Sequence, residues 1–206
     1  MINNFPSESD SIRSEIAAAA ARMIAEDGTD YGTAKRKAAQ QILGDAKIRG
    51  DFLPDNAQVE EEVRIYNALF FAETQPARLL HLRQLATQIM LELAAFNPYL
   101  TGAVLNGTAG EHADIHLQLF ADSPKDVEIY LLNQGIQFET SETRHFKGAS
   151  RMVETVSFMW RNEGVHLALY EVDDLRGALK PVASTGRSDR ANIDSVYALI
   201  AESESE

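Results

Sequence analysis

Hydrophobic side chains recur at helical spacing through the first hundred residues of the chain. This spacing predicts helices over about residues 9–26, 31–43, 59–70 and 77–96. Residues that stop helices follow three of these segments, namely Gly28, Gly44 and the pair Asn97-Pro98. The aromatic residues of the third segment and its end are expected in the core: Tyr66, Phe70 and Phe71.

After Pro98 the pattern changes to an alternation of apolar and polar residues. It predicts strands over residues 100–105, 115–120, 152–160 and 165–170, with a turn at 162–164. Helices are predicted from Pro124 to a stop at Gly135 and over residues 192–201, followed by a disordered acidic tail from Glu202 to Glu206. The sequence thus predicts an α+β fold, in which a helical N-terminal half precedes an α/β core with a small mixed sheet.

Composition narrows the classes of partner. The chain has 206 residues, with 19 basic and 31 acidic side chains and a net charge of −12. Binding through nucleic-acid phosphates needs clustered basic residues, so a nucleic-acid partner is not expected. Cysteine is absent, which excludes disulfides and thiolate metal sites. No apolar run approaches the roughly 20 residues that span a bilayer, and the first residues lack the basic start of a secretory signal. We therefore expect no membrane partner and a cytoplasmic location.

Candidate chemistry is concentrated between residues 102 and 120. Glycines stand at positions 102, 107 and 110, ahead of a predicted strand. Because side chains alternate across a strand, Asp114, His116 and Gln118 are predicted to share one face. A glycine-bearing turn opposite such a face suits phosphate and metal chemistry, since the backbone can approach an anion where no side chain intervenes.

Four short segments match a family signature: Leu100–Ala103, Asn106–Ala109, Ala113–Leu117 and Val165–Leu167. They resemble the polymerase-β-like nucleotidyltransferase superfamily, especially its minimal members. That signature is a hydrophobic residue followed by Gly-Ser or Gly-Gly, a turn, an Asp-hydrophobic-Asp strand and a third carboxylate on a later strand. Gly102 precedes Asp114 by twelve positions, in register with this pattern, and the resemblance covers roughly residues 80–172.

The resemblance implies a site. In the family, three carboxylates hold two Mg²⁺ ions, which align a nucleoside triphosphate and activate the attacking hydroxyl, while the Gly-Ser segment grips the phosphates. The residues at the catalytic and metal-binding positions are Asp114, His116 and His166. Those at the phosphate-binding positions are Gly102, Ala103, Asn106 and Gly107.

The chain departs from the family pattern at several of these positions. Histidine replaces aspartate at 116 and 166, and Ala103 replaces the serine. Mg²⁺ prefers oxygen ligands, so a single retained carboxylate disfavours catalysis by two Mg²⁺ ions. Asp114 with two histidines is instead a ligand set for Zn²⁺, Mn²⁺ or Fe²⁺, to which His112 could add a nitrogen. In the alternative interpretation, His116 and His166 lie on neighbouring strands and hydrogen-bond each other or Asp114.

The sequence leaves three functional hypotheses. The carboxylate count favours a catalytically degenerate nucleotidyltransferase-like protein that acts as a nucleotide-binding or protein-interaction module. The alternative is an active enzyme that transfers a nucleotidyl group from a nucleoside triphosphate to a small molecule, a protein or an RNA end, with Mg²⁺, Mn²⁺ or Zn²⁺ as cofactor. The third is an α/β domain unrelated to the family. The expected partner is a nucleotide or a protein, and the helical half leaves room for a homodimer.

The expected domains are a helical region at 1–76, a nucleotidyltransferase-like core at 77–172 and a C-terminal extension at 173–206. Two further histidines are interpreted structurally. His81, in the leucine-rich helix, is predicted to be a surface or packing residue. His145, with Arg144 and Lys147, is predicted to lie in a solvated basic loop.

Overall fold

The computed structural model describes residues 7–44, 50–178 and 188–204. The chain forms two compact units: Met1–Gln75 together with Thr108–His112, and Pro76–Gly107 together with Ala113–Glu206. The sequence predicts a boundary after residue 76 but assigns residues 108–112 to the core that follows it, whereas their contacts group them with the first unit. No helix in the described ranges combines the length and the apolar character needed to traverse a membrane.

The first unit contains three helices: α1 (Glu8–Asp27), α2 (Tyr31–Leu43) and α3 (Asn56–Phe70). Each begins after a residue whose side chain accepts a hydrogen bond from the backbone of the first turn, namely Ser7, Asp30 and Asp55. Such caps satisfy amide groups that the helix leaves without an internal partner. The three helices agree with those predicted from the hydrophobic spacing.

Alanine dominates the core of the first unit. The buried cluster consists of small and medium-sized residues of α1 and α2 with two valines of α3: Ile16, Ala17, Ala20, Ala21, Met23, Ala34, Ala38, Ala39, Val59 and Val63. Small side chains allow helix backbones to approach one another closely while the interior remains densely packed. The alanine-rich sequence of α1 is therefore suited to packing as well as to helix formation.

Contrary to the prediction, the aromatic residues at the end of α3 lie outside this core. Phe70 is 64% exposed, and Tyr66 and Phe71 are partly buried. The last turn of α3 extends past Val59 and Val63, the α3 residues that belong to the buried cluster. Tyr66 instead donates a hydrogen bond to a Glu26 carboxylate oxygen, and this bond raises the pKa of the tyrosine.

The second unit contains the sheet. Its strands are β1 (Tyr99–Thr101), β2 (Ile115–Ala121), β3 (Glu139–His145), β4 (Gly148–Trp160) and β5 (Glu163–Glu171). Its helices are α4 (Gln75–Glu92, whose first residue is counted with the first unit), α5 (Gly102–Asn106), α6 (Pro124–Asn133), α7 (Leu175–Ala178) and α8 (Ile193–Ser203). Short 3-10 turns, Ala94–Phe96 and Val172–Asp174, follow α4 and β5.

The strands form one five-stranded mixed sheet in the order β1-β2-β5-β4-β3. β2 and β5 are parallel, and the other neighbouring pairs are antiparallel. A parallel pair requires a long connection, which α6 and the β3–β4 hairpin supply, and α6 packs against both β2 and β5. The helical N-terminal half and the mixed sheet confirm the predicted α+β fold.

The two faces of the sheet differ in polarity around the middle of β2. Ile115, Leu117 and Leu119 are buried on one face, as their alternation predicts. The pairing register places one polar residue from every strand in a row across the opposite face: Thr101, His116, His166, Ser157 and Glu139. We call this side of the sheet, with Asp114 and Gln118 beside His116, the polar face.

The prediction of a strand over residues 100–105 is wrong beyond Thr101. Gly102 adopts a positive φ of 72° and redirects the chain into α5. This helix ends before Gly107, which has a positive φ of 86°. Glycine reaches these angles without the steric cost that other residues incur. A short apolar run between glycines is compatible with either a strand or a helix turn, so spacing alone could not separate them.

The sequence missed β3 and the first part of β4. Residues 143–148 are predicted as a loop, whereas β3 runs to His145 and β4 begins at Gly148. β3 is an edge strand whose first residues, 139–144, are all exposed, so it needs no apolar alternation. The β4–β5 turn is also shorter than predicted, because Arg161 and Asn162, at φ 50° and 69°, close it as a two-residue hairpin loop.

The C-terminal helix is longer than predicted. α8 continues through Ser203, so the tail expected to be disordered from Glu202 begins inside a helix. Residues 205 and 206 lie outside the described residues.

Arg83 of α4 is buried and holds α5 in place. It is 6% exposed, and its guanidinium donates hydrogen bonds to the Val104 and Leu105 carbonyls at 3.1 and 3.3 Å and to Ser203 Oγ at 3.2 Å. Desolvation lowers the pKa of Arg83, although Glu202 opposes this effect. Carbonyl groups at a helix C-terminus lack internal partners, so a buried cation is well placed there.

Replacing Arg83 with methionine is expected to destabilise the protein. Arg83→Met leaves the Val104 and Leu105 carbonyls without their donor, at a cost of about 1–3 kcal/mol for each buried group left unpaired. Urea unfolding of the variant and of Gln84→Ala, which alters an exposed neighbour on α4, measures the difference. Equal stability of the two variants would contradict a structural role for Arg83.

Candidate functional site

Asp114, His116 and His166 lie together on the polar face. His116 of β2 and His166 of β5 are partners across the parallel strand pair. Their rings stack with centroids 4.7 Å apart and an angle of 19° between planes. His166 Nε2 lies 3.1 Å from Asp114 Oδ2. Of the two interpretations of the histidines, this geometry matches the one in which a histidine hydrogen-bonds Asp114.

Ser157 extends this arrangement into a hydrogen-bonded chain. It is the partner of His166 on β4, and its Oγ lies 2.8 Å from His166 Nδ1. A carboxylate oxygen accepts hydrogen bonds, so His166 donates to Asp114 through Nε2. When the ring is in its neutral form, Nδ1 is then an acceptor, to which Ser157 donates its hydroxyl proton. No motif or periodicity distinguishes this serine from the other polar residues of β4, so it was missed from the sequence.

Gly164 makes room for the Asp114 carboxylate. A Cβ atom at this position of β5 would overlap Cγ and a carboxylate oxygen of Asp114. The absence of a side chain two residues before His166 therefore allows Asp114 to lie beside the histidine. The sequence predicts Gly164 as a turn residue, because a requirement for space across strands leaves no signal in local spacing.

His116 has an exposed side chain that makes no hydrogen bond to another residue within the described ranges. The atoms packed around its ring nevertheless desolvate it, and this lowers its pKa from the ordinary value of 6.5. The adjacent His166 lowers the pKa further, while the Asp114 carboxylate raises it. The neutral ring that results at pH 7 offers one N–H donor and one nitrogen acceptor to a ligand.

The four residues predicted to bind phosphate lie at the two ends of α5. Gly102 is exposed. It lies beside His116, since a Cβ built on the glycine would be 3.8 Å from the histidine Cβ. Ala103 follows it in α5. Asn106 and Gly107 lie at the other end of α5, about 7 Å away along the helix axis. A Cβ on Gly107 would lie 3.9 Å from the Arg83 guanidinium, so this end of α5 adjoins the buried arginine.

The residues that follow Gly107 are held within the first unit. Thr108 Oγ1 lies 3.2 Å from the Tyr31 hydroxyl, and the Ala109 carbonyl accepts a hydrogen bond from Gln75 Nε2 at 2.9 Å. His112, which the sequence analysis named as a further metal ligand, lies in this segment. A Cβ built on Gly28 would be 2.8 Å from the Cβ of His112. Hydrogen bonds within the first unit therefore account for the local structure around Thr108 and Ala109.

Gln118 connects the polar face to a cation from the C-terminal segment. Arg190 Nε donates a hydrogen bond to Gln118 Oε1 at 2.5 Å, and Arg190 Nη1 donates to the Ala178 carbonyl at 3.0 Å. The guanidinium also lies over the Phe146 ring, 4.5 Å from its centroid. Desolvation lowers the pKa of Arg190, while Tyr170 and Asp189 raise it.

The donor arrangement does not fit a resident metal ion. No group of three or more His, Asp or Glu side chains in the described ranges is positioned to hold one. Both ring nitrogens of His166 already have hydrogen-bond partners, so a metal would have to displace Ser157 or Asp114 from that ring.

His145 is buried, contrary to the prediction of a solvated basic loop. Its side chain is 1% exposed, with Nδ1 accepting from the Lys147 amide and Nε2 lying 2.9 Å from Asp174 Oδ2. Lys147 Nζ donates to the other oxygen of Asp174. Desolvation raises the pKa of Asp174, but the hydrogen bonds from Lys147 and His145 outweigh it, and the net direction is downward. The cluster ties the end of β3 to the turn after β5.

His81 is exposed, as predicted for a surface residue, and lies 3.5 Å from Glu163. Arg78 pairs with both oxygens of the same carboxylate and is the main cause of the lowered pKa of Glu163.

The lowered pKa of His116 predicts a pH-dependent loss of stability. Below about pH 6.5 the unfolded chain takes up a proton at this position more readily than the folded protein, so the free energy of unfolding falls as the pH decreases. When the pH is lowered from 7.5 to about one unit below 6.5, the ordinary pKa of histidine, we expect the free energy of unfolding to fall less for His116→Gln than for the wild type. Urea unfolding at both pH values tests this, and identical losses would contradict it.

Comparison with known proteins gives one weak structural likeness. No family model matches the chain, and no curated protein sequence matches it. A chain in a solved structure titled "structure of GLD-2/RNP-8 complex" is similar over 71% of this chain and 54% of that one, with 17% identity and a TM-score of 0.31. This chain thus corresponds to about half the length of that solved chain. A likeness at this TM-score does not show a shared fold.

Proposed function

We propose that this chain is a nucleotidyltransferase-like protein that does not transfer nucleotides and that binds a nucleotide on the polar face of its sheet. The resemblance in sequence assigns Asp114, His116 and His166 to the three positions that hold carboxylates in the family. The observation that carries the proposal is the pairing of His116 with His166 beside Asp114. One carboxylate and two imidazoles meet at this point of the sheet.

Loss of transfer follows from the charges and contacts of these three residues. Two Mg²⁺ ions need several anionic oxygen ligands, and Asp114 supplies one carboxylate. The lowered pKa of His116 keeps that ring neutral at pH 7. His166 uses both ring nitrogens in hydrogen bonds to Asp114 and Ser157. This arrangement supports a site that binds without the metal-dependent step.

Nucleotide binding is supported by the groups left accessible on the same face. The His116 ring is exposed, and the exposed backbone at Gly102 lies beside it. An imidazole N–H can donate to a phosphate oxygen, and glycine permits a close approach of that oxygen to the main chain. With a net charge of −12 over the whole chain, an anion would be held by these local donors rather than by a long-range field.

A thermal-shift panel of nucleoside triphosphates, each with Mg²⁺ or with a chelator, tests this function. We expect at least one nucleotide to stabilise the protein equally under both conditions, by about 2.7 kcal/mol at a concentration of a hundred times Kd. His116→Ala should abolish the shift. His112→Ala, which truncates an exposed histidine counted with the first unit, should leave it unchanged.

Two outcomes would contradict the proposal. A shift that requires Mg²⁺ and is accompanied by pyrophosphate release would indicate the active nucleotidyltransferase. No shift with any nucleotide would remove nucleotide binding and leave the protein-interaction role to be tested by pull-down.

Restoring the missing carboxylates tests whether the strands are aligned with the family as the resemblance implies. We expect the double variant His116→Asp with His166→Asp to bind Mg²⁺, because it would place three carboxylates where the wild type has one. Isothermal titration with MgCl₂ compares the variant with the wild type, and circular dichroism verifies that it is folded. A folded variant without Mg²⁺ affinity would show that the alignment is wrong.

A further inference from the structure

The hydrogen-bonded chain Ser157–His166–Asp114 has the order of groups that activates a serine nucleophile. Ser157 Oγ is 2.8 Å from His166 Nδ1, and His166 Nε2 is 3.1 Å from Asp114 Oδ2. Both distances lie within the range at which a base can accept a hydroxyl proton and a carboxylate can orient that base. We infer that Ser157 is a nucleophile toward carboxylic esters, with His166 as its general base and Asp114 as a positioning residue.

The orientation of the histidine supports this role. Because Asp114 accepts from Nε2, the ring is held in the tautomer that leaves the lone pair of Nδ1 directed at the serine hydroxyl. Compared with the usual serine–histidine–aspartate arrangement, the two ring nitrogens have exchanged partners, but each group retains its chemical task. Catalytic constellations of this kind are identified by geometry and roles rather than by position in the sequence.

The three residues are held rigidly yet remain accessible. Ser157 and His166 lie on neighbouring strands in the interior of the sheet, so backbone hydrogen bonds fix their separation. Their side chains are not sealed off, since that of His166 is 30% exposed, that of Asp114 is 46% exposed and Ser157 is partly buried. An ester placed over the polar face could thus approach Oγ from solvent.

The reaction with an ester proceeds in two steps. Ser157 Oγ bonds to the carbonyl carbon while its proton passes to His166 Nδ1, and that proton then goes to the departing alcohol as the original C–O bond breaks. Water next attacks the acyl-serine, giving its proton to His166, and release of the carboxylic acid returns the proton to Ser157. No oxidant, reductant or metal takes part.

Labelling with a fluorophosphonate tests the nucleophile directly. In this reaction Ser157 Oγ bonds to phosphorus, fluoride leaves, and the hydroxyl proton passes through His166 to solvent. We expect wild-type protein to be labelled at Ser157, as located by peptide mass spectrometry, and Ser157→Ala to be unlabelled. Ser141→Ala, which alters an exposed serine of the neighbouring strand β3, should be labelled like the wild type.

Two variants test the positioning of His166 without removing the nucleophile or the base. Asp114→Asn keeps the size of the side chain but no longer enforces the tautomer, and it should slow labelling at least about tenfold. Gly164→Ala places a methyl group where the Asp114 carboxylate lies and should slow labelling in the same way. Melting temperatures of both variants show whether they are folded, and a purely structural hydrogen bond would alter melting without changing the labelling rate per folded molecule.

Hydrolysis of p-nitrophenyl acetate supplies the second readout, with Ser157→Ala expected to lower the rate at least about tenfold. Absence of label on wild-type Ser157, or equal hydrolysis by wild type and Ser157→Ala, would overturn the inference. Neither assay contains a nucleotide or Mg²⁺, so their outcome is independent of the thermal-shift result that decides nucleotide binding.

Discussion

The parallel pairing of β2 with β5 brings together residues that are far apart in the chain, and the polar face depends on it. Asp114 and His166 are separated by 52 positions yet share a hydrogen bond. The register of this pair is secured on the other side of the sheet, where Leu117 and Leu167 are partners and both are buried. A slip of one residue would turn His166 toward that apolar layer and expose Leu167. Burial of one face therefore stabilises the geometry of the other.

His166 connects the central strands through its side chain. Its ring stacks on His116 of β2 and accepts from Ser157 of β4, and it donates to the carboxylate that precedes β2. An imidazole can both donate and accept protons, so one ring can serve two hydrogen-bond partners at once. The proposed proton transfer between Ser157 and His166 would rely on this property. The proposed nucleotide binding and the proposed serine reactivity would use different atoms of the same polar face.

The sequence predicted those parts of the molecule in which local pattern and tertiary environment agree. The helices of the first half follow from apolar spacing and end signals, and the alternation in β2 correctly identifies its buried residues. Predictions were wrong where a local pattern has more than one solution. The run after Thr101 becomes helix α5 because Gly102 turns the chain, and the polar segment at 139–145 becomes a strand because an edge strand needs no apolar face.

The sequence by itself determined the α+β class and a polar face of β2 that carries Asp114 and His116, because these depend on periodicity and residue type. His166 was named through the resemblance of Val165–Leu167 to a strand of the family. Tertiary structure decided which atoms meet. It paired His166 with Ser157, gave Asp114 the space left by Gly164, and placed Gly107 beside Arg83 and away from His116. Such contacts join strands that are distant in the chain, and a requirement for space or a hydrogen-bond partner across strands leaves no periodic signal along the sequence.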